Sequence, residues 1–269
     1  GLMVLDRPSK DIRRSIIKMI EGERRGHFGS AMSLVEMLRV LYDSFLRYRP
    51  EEPLWPDRDR LILSKGHGCL ALYATLARKG FFPQDELATF GKADSRLGGH
   101  PEWRKVPGVE ATTGALGHGL SIGVGMALAA RIRKQSYRVV VITGDGEINE
   151  GSVWEAAMSA TKHKLSNLTV FVDYNKMQAY GSTHEVLDIE PLADKWCSFG
   201  FQVEEGDGHD VNALERLMIR LPLNPQKPAA VICHTVKGKG FSFAEGMAEW
   251  HHKSGLSSEE IASMYDCLV

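Results

Sequence analysis

The sequence predicts an α/β fold in which a doubly wound, mostly parallel sheet carries helices on both faces. Segments 137–144 (YRVVVITG) and 168–175 (LTVFVDYN) are almost continuously apolar, as strands are when a sheet is covered on both faces. The amphipathic segment 152–164 lies between them and completes a strand–helix–strand unit. Strands and helices also alternate before and after this unit, which favours one parallel sheet.

The other elements follow from apolar periodicity for helices and from short apolar runs for strands. In chain order they are helices at 10–23 and 32–46, a strand at 61–63, a helix that stops at Gly80, and then, after the central unit, strands at 200–205 and 229–235 with a helix at 211–221 between them. Segment 79–119 has little regular pattern, and irregular stretches of this length are usually functional. Because no linker divides the chain, residues 1–269 are predicted to form a single domain.

Composition excludes several classes of function. The formal net charge of the 269 residues is -1, which does not favour nucleic acid or an anionic membrane as a partner. No apolar run approaches the length of a membrane span, and no signal peptide is evident. The four cysteines are scattered without a CxxC pair, as in a protein of a reducing compartment. We therefore expect a cytoplasmic protein.

Polar residues follow the ends of the two central strands. Gly144, Asp145 and Gly146 end the first strand, and Asn175 ends the second, thirty positions after Asp145. Ligands of open α/β sheets bind beyond the carboxyl ends of the strands, and glycines before a helix let the backbone approach a phosphate. A carboxylate would repel a bare diphosphate, so Asp145 indicates a divalent cation between the two, and Mg²⁺ prefers such oxygen ligands.

The segment GDGEINEGSVWEAAMSATKHKLSNLTVFVDYNKMQ resembles the thiamine-diphosphate signature of transketolases. The resemblance continues through nearly the whole chain in GHFGSAMS, LSKGHGCLALY, GHPE, TTGALGHGLSIGVGMA, HTVKGKGFSF and EWHH. The VDYN ending is similar to the separately encoded N-terminal subunits of split transketolases. The resemblance implies the thiamine-diphosphate-binding fold, and specifically its diphosphate-binding domain.

The resemblance also implies roles for individual residues. It assigns Mg²⁺, or Ca²⁺ or Mn²⁺ in its place, to Asp145, Asn175 and the main-chain carbonyl of Met177. The catalytic histidines, which contact the diphosphate or the sugar hydroxyls, would be His27, His67, His100 and His251. The residues implied to bind thiamine diphosphate are His67, Gly114, Leu116, Gly144, Asp145, Gly146, Glu150, Glu155, Asn175 and His251. Of these, Glu150 and Glu155 would lie near a contact between subunits.

Each of these assignments has a structural alternative. A loop histidine more often stabilises its loop than catalyses a reaction, although imidazole suits proton transfer near neutral pH. His252 is adjacent to His251, so either could be the active-site residue, and His118 stands where transketolases have glutamine. We expect structural or surface roles for His163, His184 and His209. Lys237 and Lys239 could steer anionic substrates or simply be solvated, and the glycines of SIGVGMALAA are expected to be packing contacts.

The activity implied is transfer of a two-carbon ketol from a ketose, or ketose phosphate, to an aldehyde acceptor. The pyrimidine-binding domain and its activating glutamate are expected on a partner, a C-terminal transketolase subunit, in a heterotetramer of two plus two. The residues that bind an acceptor's phosphate are expected there as well. One alternative is a subunit of another thiamine-diphosphate enzyme, either a deoxyxylulose-phosphate-synthase-like enzyme or a 2-oxo-acid dehydrogenase. Others are a specialised ketol transferase of secondary metabolism and a regulatory module. A nucleotide-binding domain is disfavoured because the chain lacks the motifs of such domains.

Two positions depart from the family pattern. Ala179 stands where transketolases generally have isoleucine beside the thiazolium, and Tyr180 where they have aspartate. The smaller side chain opens volume near the reacting carbon, while the tyrosine adds a polar ring. These departures suggest an altered donor or acceptor.

Overall fold

The computed structural model describes residues 4–178 and 180–269. The strands are, in chain order, β1 (Arg25–Gly26), β2 (Arg60–Leu63), β3 (Val139–Gly144), β4 (Leu168–Tyr174), β5 (Met177–Gln178), β6 (Gly181–Ser182), β7 (Gln202–Asp207), β8 (Ala229–His234) and β9 (Lys253–Ser254). The α-helices are α1 (Arg7–Glu23), α2 (Phe28–Met32), α3 (Val35–Val40), α4 (Cys69–Arg78), α5 (Gly119–Ile132), α6 (Gly151–Lys162), α7 (Thr183–Leu187), α8 (Leu192–Ser198), α9 (Val211–Ile219) and α10 (Ser258–Asp266).

The central sheet has five strands in the order β2-β3-β4-β8-β7, and all of its neighbouring pairs are parallel. Successive side chains of a strand point to opposite faces, and both faces are buried here. Val140 and Ile142 of β3 pack into one hydrophobic cluster, with α1, α3, α4, α9 and α10. Val139 and Val141 pack into a second cluster, with α5, α6 and α8. The predicted fold class is therefore confirmed.

The structure corrects several predicted boundaries. The predicted helix 32–46 is broken: α2 ends at Met32, α3 covers Val35–Val40, and a π-helical turn follows at Leu41–Phe45. The first helix begins at Arg7 because Asp6 caps it, its Oδ1 accepting from the Ser9 N–H at 3.1 Å. The strand predicted at 200–205 is shifted to β7, Gln202–Asp207.

Two short strands connect the beginning of the chain to its end. β1 pairs with β9 in antiparallel fashion, with Gly26 opposite Lys253. This pairing places the residue that follows β1, His27, next to the residues that precede β9, His251 and His252. Within residues 4–178 and 180–269, no helix is long and apolar enough to cross a membrane.

A buried polar network holds the loop that follows β8. Both oxygens of Glu36 accept from Arg13, at 2.7 and 2.8 Å, and Oε1 also lies 2.7 Å from His209 Nδ1. His209 Nε2 in turn accepts from the Val236 N–H at 3.0 Å. His209 is buried, so of the surface and packing roles that the sequence left open it has the packing role, and the network fixes the backbone beside Lys237.

Candidate active site

A cavity of about 330 Å³, here called the inner cavity, lies beyond the carboxyl ends of β3 and β4. Most residues implied by the resemblance line it, namely His27, His67, His100, Gly114, Leu116, Gly144, Asp145, Gly146, Asn175, Met177 and His251. They come from loops far apart in the sequence, which the fold gathers at one edge of the sheet. This edge is where ligands of open α/β sheets bind.

Glu150 and Glu155 lie outside the inner cavity. Glu150 is the N-cap of α6, Glu155 lies within that helix, and both side chains are exposed. A carboxylate at a helix N-terminus is favoured by the helix dipole. The role implied for both glutamates, near a contact with another subunit, stays a prediction.

Three oxygen-bearing groups that could bind a metal follow the adjoining ends of β3 and β4. Asp145 follows β3, and its carboxylate accepts from the N–H groups of Gly146 at 2.7 Å and Lys176 at 2.6 Å. Asn175 follows β4, and its Oδ1 accepts from the Met177 N–H at 3.0 Å. The carbonyl of Met177 lies 3.3 Å from Lys237 Nζ. The three residues that carry this carboxylate, amide and carbonyl all line the inner cavity.

The surroundings of Asp145 fit a bound cation. Burial, and then the neighbouring charge of Asp173, raise the pKa of Asp145 to about 6. Among the described residues, Asp145 forms no ion pair, and no group of three or more His, Cys, Asp or Glu side chains could hold a metal on its own. The donor set therefore suits a hard divalent cation such as Mg²⁺, which takes its other ligands from a phosphate and water.

A buried lysine forms the base of the inner cavity. Lys65 Nζ donates to Asp173 Oδ2 at 2.6 Å, and both side chains are almost completely buried. Ser33 and Thr235 also donate to the Asp173 carboxylate. Burial by itself raises the pKa of Asp173, but the charge of Lys65 and these hydrogen bonds outweigh it and lower that pKa. The lysine stem lies against the last residue of β3, since a Cβ at Gly144 would be 3.8 Å from Lys65 Cδ.

Three imidazoles cluster in the inner cavity, beside the β1–β9 pairing. The ring centroids of His27 and His67 are 5.3 Å apart, those of His27 and His251 5.5 Å, and those of His67 and His251 5.7 Å. His27 Nδ1 is buried and has no hydrogen-bond partner among the described residues. A ligand that binds His27 would therefore use Nε2.

These three histidines are neutral at pH 7. Burial, reinforced by neighbouring cationic groups, lowers the pKa of His27 to about 4, of His67 to about 2 and of His251 to about 3. A neutral imidazole has one N–H donor and one acceptor nitrogen. Lys237 Nζ lies 2.6 Å from His251 Nδ1, which therefore accepts, so that the proton of the His251 ring is on Nε2.

Both members of the adjacent histidine pair reach this region. His251 lines the inner cavity. His252 contacts His27, with ring centroids 4.6 Å apart, and lines a second cavity of about 370 Å³, here called the outer cavity. His27, His67 and His100 line both cavities and so form their shared wall.

Sequence reasoning missed Glu147 and Lys65. Glu147 is buried, and its carboxylate accepts from Ser64 Oγ at 2.6 Å, from the Gly117 N–H at 2.9 Å and from the Gly144 N–H at 3.1 Å. It thereby ties together three loops of the inner cavity. Glu147 could have been found from its position directly after GDG. Lys65 could have been found because Asp173, an acid inside an otherwise apolar strand, requires a basic partner.

Tyr180 lines the inner cavity with 94% of its surface exposed, and Leu116 is 40% exposed. Ala179, the other departure from the family pattern, lies outside the described residues.

Lys237, for which the sequence left a steering and a solvated role open, is buried in the cavity wall. His118 does not line the inner cavity.

Known families and proteins resemble this chain over most of its length. The family model "Transketolase, thiamine diphosphate binding domain" matches residues 6–268. The chain is 42% identical over 248 residues to an apulose-4-phosphate transketolase subunit of Phocaeicola vulgatus, covering 92% of this chain and 88% of that protein. It is 43% identical over 241 residues to a 6-deoxy-6-sulfo-D-fructose transketolase subunit of Clostridium sp. strain MSTE9, covering 90% and 88% respectively.

Solved structures agree with these relatives. A transketolase mutant from Pichia stipitis superposes with a TM-score of 0.90 at 30% identity, covering 96% of this chain and 39% of that one. Transketolase from Leishmania mexicana gives a TM-score of 0.89 at 32% identity, covering 97% and 41%. The chain thus spans about two fifths of these longer transketolases and most of the separate subunits. It belongs to the transketolase family, with the family's thiamine diphosphate-binding domain extending over nearly all of its length.

Proposed function

We propose that this chain is the diphosphate-binding subunit of a split transketolase, which transfers a two-carbon ketol from a ketose to an aldehyde with thiamine diphosphate as cofactor. The observation that carries the proposal is the inner cavity, in which the oxygen donors, two buried lysines and the histidines face one space. Relatives that match over most of their own length are named as transketolase subunits, which supports the same function.

A divalent cation, Mg²⁺ or Ca²⁺ or Mn²⁺ in its place, is proposed at Asp145, Asn175 and the Met177 carbonyl. The buried carboxylate of Asp145, which forms no ion pair with any described residue, and the two neutral oxygens support this assignment. The diphosphate would lie against Gly144 and Gly146, where the backbone allows a close approach. The buried ammonium of Lys237, which forms no ion pair with a described residue, adds positive charge to the same cavity, whereas that of Lys65 is balanced by Asp173.

Thiamine diphosphate, when bound, supplies the carbanion chemistry of ketol transfer. The histidines of this chain are proposed to bind and orient the substrate. His27 would bind a substrate oxygen through Nε2, and His251 would donate through Nε2–H while its Nδ1 accepts from Lys237. His67, which is neutral as well, would donate to or accept from a substrate hydroxyl. His100, which is exposed at the shared wall of the two cavities, would complete this polar surface.

A partner subunit is proposed to provide the pyrimidine-binding domain and the activating glutamate, in a heterotetramer of two plus two. The naming of the relatives as transketolase subunits supports a partner. Tyr180 and Leu116, exposed at the inner cavity, are apolar or aromatic surfaces that a partner would cover. On this proposal residues 1–269 form a single domain. The free thiols of all four cysteines suit a cytoplasmic enzyme.

The donor is proposed to be a ketose or ketose phosphate. Relatives named for apulose 4-phosphate and for 6-deoxy-6-sulfo-D-fructose support a specialised sugar substrate over a 2-oxo acid. Tyr180, at the inner cavity, is a candidate for selecting it. A specialised ketol transferase, one of the alternatives that the sequence left open, is a form of this proposal.

The test is reconstitution with a candidate C-terminal transketolase subunit. Each protein by itself and the mixture are assayed with thiamine diphosphate and Mg²⁺, using xylulose 5-phosphate, fructose 6-phosphate and hydroxypyruvate as donors. Ketol transfer by the mixture, and by neither protein without the other, is the expected result. Release of carbon dioxide from pyruvate, without ketol transfer, would instead assign the complex to the 2-oxo-acid enzymes.

A further inference from the structure

Lys237 is a buried cation that forms no ion pair with any described residue. It is only 2% exposed, and its stem runs closely over α2, since a Cβ at Gly29 would lie 2.9 Å from Lys237 Cγ. Its Nζ lies 2.6 Å from His251 Nδ1. Burial, and then the charge of Lys65, lower the pKa of Lys237 to about 8, so the group is still an ammonium at pH 7. Removing a cation from water without a counter-charge is unfavourable, so the backbone must hold this side chain in place.

The backbone on both sides of Lys237 is hydrogen-bonded. The Lys237 carbonyl accepts from the Gly246 N–H at 2.9 Å, and the Val236 carbonyl accepts from the Lys239 N–H at 3.1 Å. The Val236 N–H donates to His209 Nε2 at 3.0 Å. Of these three contacts, only the last depends on a side chain. A substitution of His209 therefore removes it and leaves the other two in place.

His209 is itself oriented by a buried ion pair. Its Nδ1 lies 2.7 Å from Glu36 Oε1, and Arg13 donates to both oxygens of that carboxylate. Burial by itself raises the pKa of Glu36, but the charge of Arg13 and these hydrogen bonds outweigh it and lower that pKa to about 2. An ionised carboxylate can only accept, so the proton of His209 is on Nδ1. Its Nε2 is therefore the acceptor that the Val236 N–H requires.

The two histidines at the ends of this chain of contacts have opposite tautomers. His209 carries its proton on Nδ1, whereas His251 accepts from Lys237 at Nδ1 and carries its proton on Nε2. Only the short segment Val236–Lys237 separates the two contacts. Among the described residues, no hydrogen bond involves His251 Nε2, and His251 lines the inner cavity. Its N–H is thus left for a ligand.

We propose that His209 is a positioning residue for ketol transfer. By accepting from the Val236 N–H, it holds Lys237 against the His251 ring. Lys237 in turn keeps the His251 proton on Nε2, so that this ring always offers a donor to an oxygen of the ligand. The inference rests on the proposed function, which supplies that ligand, but every contact in it lies within this chain. It gives the buried network of Arg13, Glu36 and His209 a role beyond packing.

Two substitutions of His209 separate positioning from packing. His209→Gln places its carboxamide near the position of Nε2 and keeps an acceptor for the Val236 N–H. His209→Asn is one carbon shorter, so its amide lies near the position of Nδ1 and keeps a donor for Glu36, but it leaves the Val236 N–H without an acceptor. Each variant keeps one of the two hydrogen bonds of the ring. A residue that only packs would give the same result in both.

Nitrogen NMR of the full chain measures the state of His251 directly. The histidines are isotope-labelled, and the ring signals of His251 are assigned by their loss in His251→Gln. At pH 7 we expect the wild type and His209→Gln to have the proton on Nε2, with the Nδ1 signal shifted by the hydrogen bond from Lys237. In His209→Asn, and in Lys237→Met, which lacks the donor, the Nδ1 signal should move to that of a free acceptor and the second tautomer should become populated. Wild-type signals of His251 in His209→Asn, or in Lys237→Met, would overturn the inference.

Kinetics of the reconstituted complex test the consequence for the reaction. In His209→Asn we expect kcat/KM for ketol transfer to fall about threefold to tenfold, the equivalent of one hydrogen bond, whereas His209→Gln should retain most of the wild-type value. Equal losses in the two variants would overturn the positioning role. The NMR result requires no partner, cofactor or substrate. If the His251 signals change as expected but no ketol transfer is found, the proposed function fails while the coupling of His209 to His251 stands.

Discussion

The ammonium of Lys65 lies 2.6 Å from the carboxylate of Asp173, and neither side chain is more than 2% exposed. One residue follows the edge strand β2 and the other belongs to the central strand β4. The pair therefore crosses beneath β3, whose last residue leads into the GDG turn. An ion pair in this position connects the stability of the sheet to the shape of the inner cavity.

Removing only the lysine should strongly destabilise the chain. Lys65→Met leaves the Asp173 carboxylate buried without its counter-charge, and we expect the free energy of unfolding to fall by about 3–5 kcal/mol. Urea denaturation of the isolated chain measures it. The double variant Lys65→Met/Asp173→Asn, which has no buried charge at this place, should recover part of the loss. A loss below about 1 kcal/mol in the single variant is typical of a solvent-exposed ion pair. It would contradict the buried contact between Lys65 and Asp173.

Two glycines of α5 should respond to alanine in opposite directions. A Cβ at Gly123 would lie 2.4 Å from Val141 Cγ2, between α5 and β3, whereas a Cβ at Gly125 would have no described atom within 4 Å other than those of its neighbours and of its own helix backbone. Gly123→Ala should cost about 1–3 kcal/mol through overpacking. Gly125→Ala should stabilise the isolated chain by about 0.5–1 kcal/mol, because alanine is the better helix former. Equal effects in denaturation experiments would contradict this packing of α5.

The low pKa of His27 predicts a pH-dependent contribution to stability. Its pKa is about 4 in the folded chain and about 6.5 in an unfolded one, so unfolding takes up a proton between these values. The contribution of His27 to the free energy of unfolding should therefore fall as the pH is lowered from 6.5 to 4. Because the ring is partly exposed and screened by solvent, the slope should stay below the one-proton limit of about 1.4 kcal/mol per pH unit. This contribution is measured as the difference in unfolding free energy between the wild type and His27→Gln at each pH. The other titrating groups are present in both proteins and therefore largely cancel. A difference that is constant across this range would show that His27 titrates normally.

Local pattern was sufficient to predict the centre of the fold. β3 and β4 are apolar on both faces, as expected of parallel strands in a sheet that is covered on both sides. Neighbouring parallel strands have their carboxyl ends at the same edge of the sheet. Asp145 and Asn175 were therefore predicted together from their positions after these strands, and they do line one cavity. Gly123 was likewise predicted as a packing contact, but Gly125 faces open space.

Long-range pairing could not be predicted in the same way. Lys65 and Asp173 are 108 residues apart in the sequence. Their contact can be predicted only when the order of the strands in the sheet is known. The outer cavity depends on β1 pairing with β9 and on the irregular loop that contains Lys92, neither of which has a periodic signal. The predicted helix 32–46 failed for a different reason: its apolar residues are continuous across breaks in the backbone.

The proposed function requires that this chain hold the diphosphate through a cation bound at Asp145. Calorimetry of thiamine diphosphate binding to the reconstituted complex, with Mg²⁺ and with EDTA, measures this requirement. We predict binding by the wild type only with Mg²⁺, at least about tenfold weaker binding for Asp145→Asn because a charged ligand of the metal is lost, and wild-type binding for the exposed control Asp85→Asn. Mg²⁺-independent binding that is equally tight in wild type and Asp145→Asn would contradict a cation at Asp145.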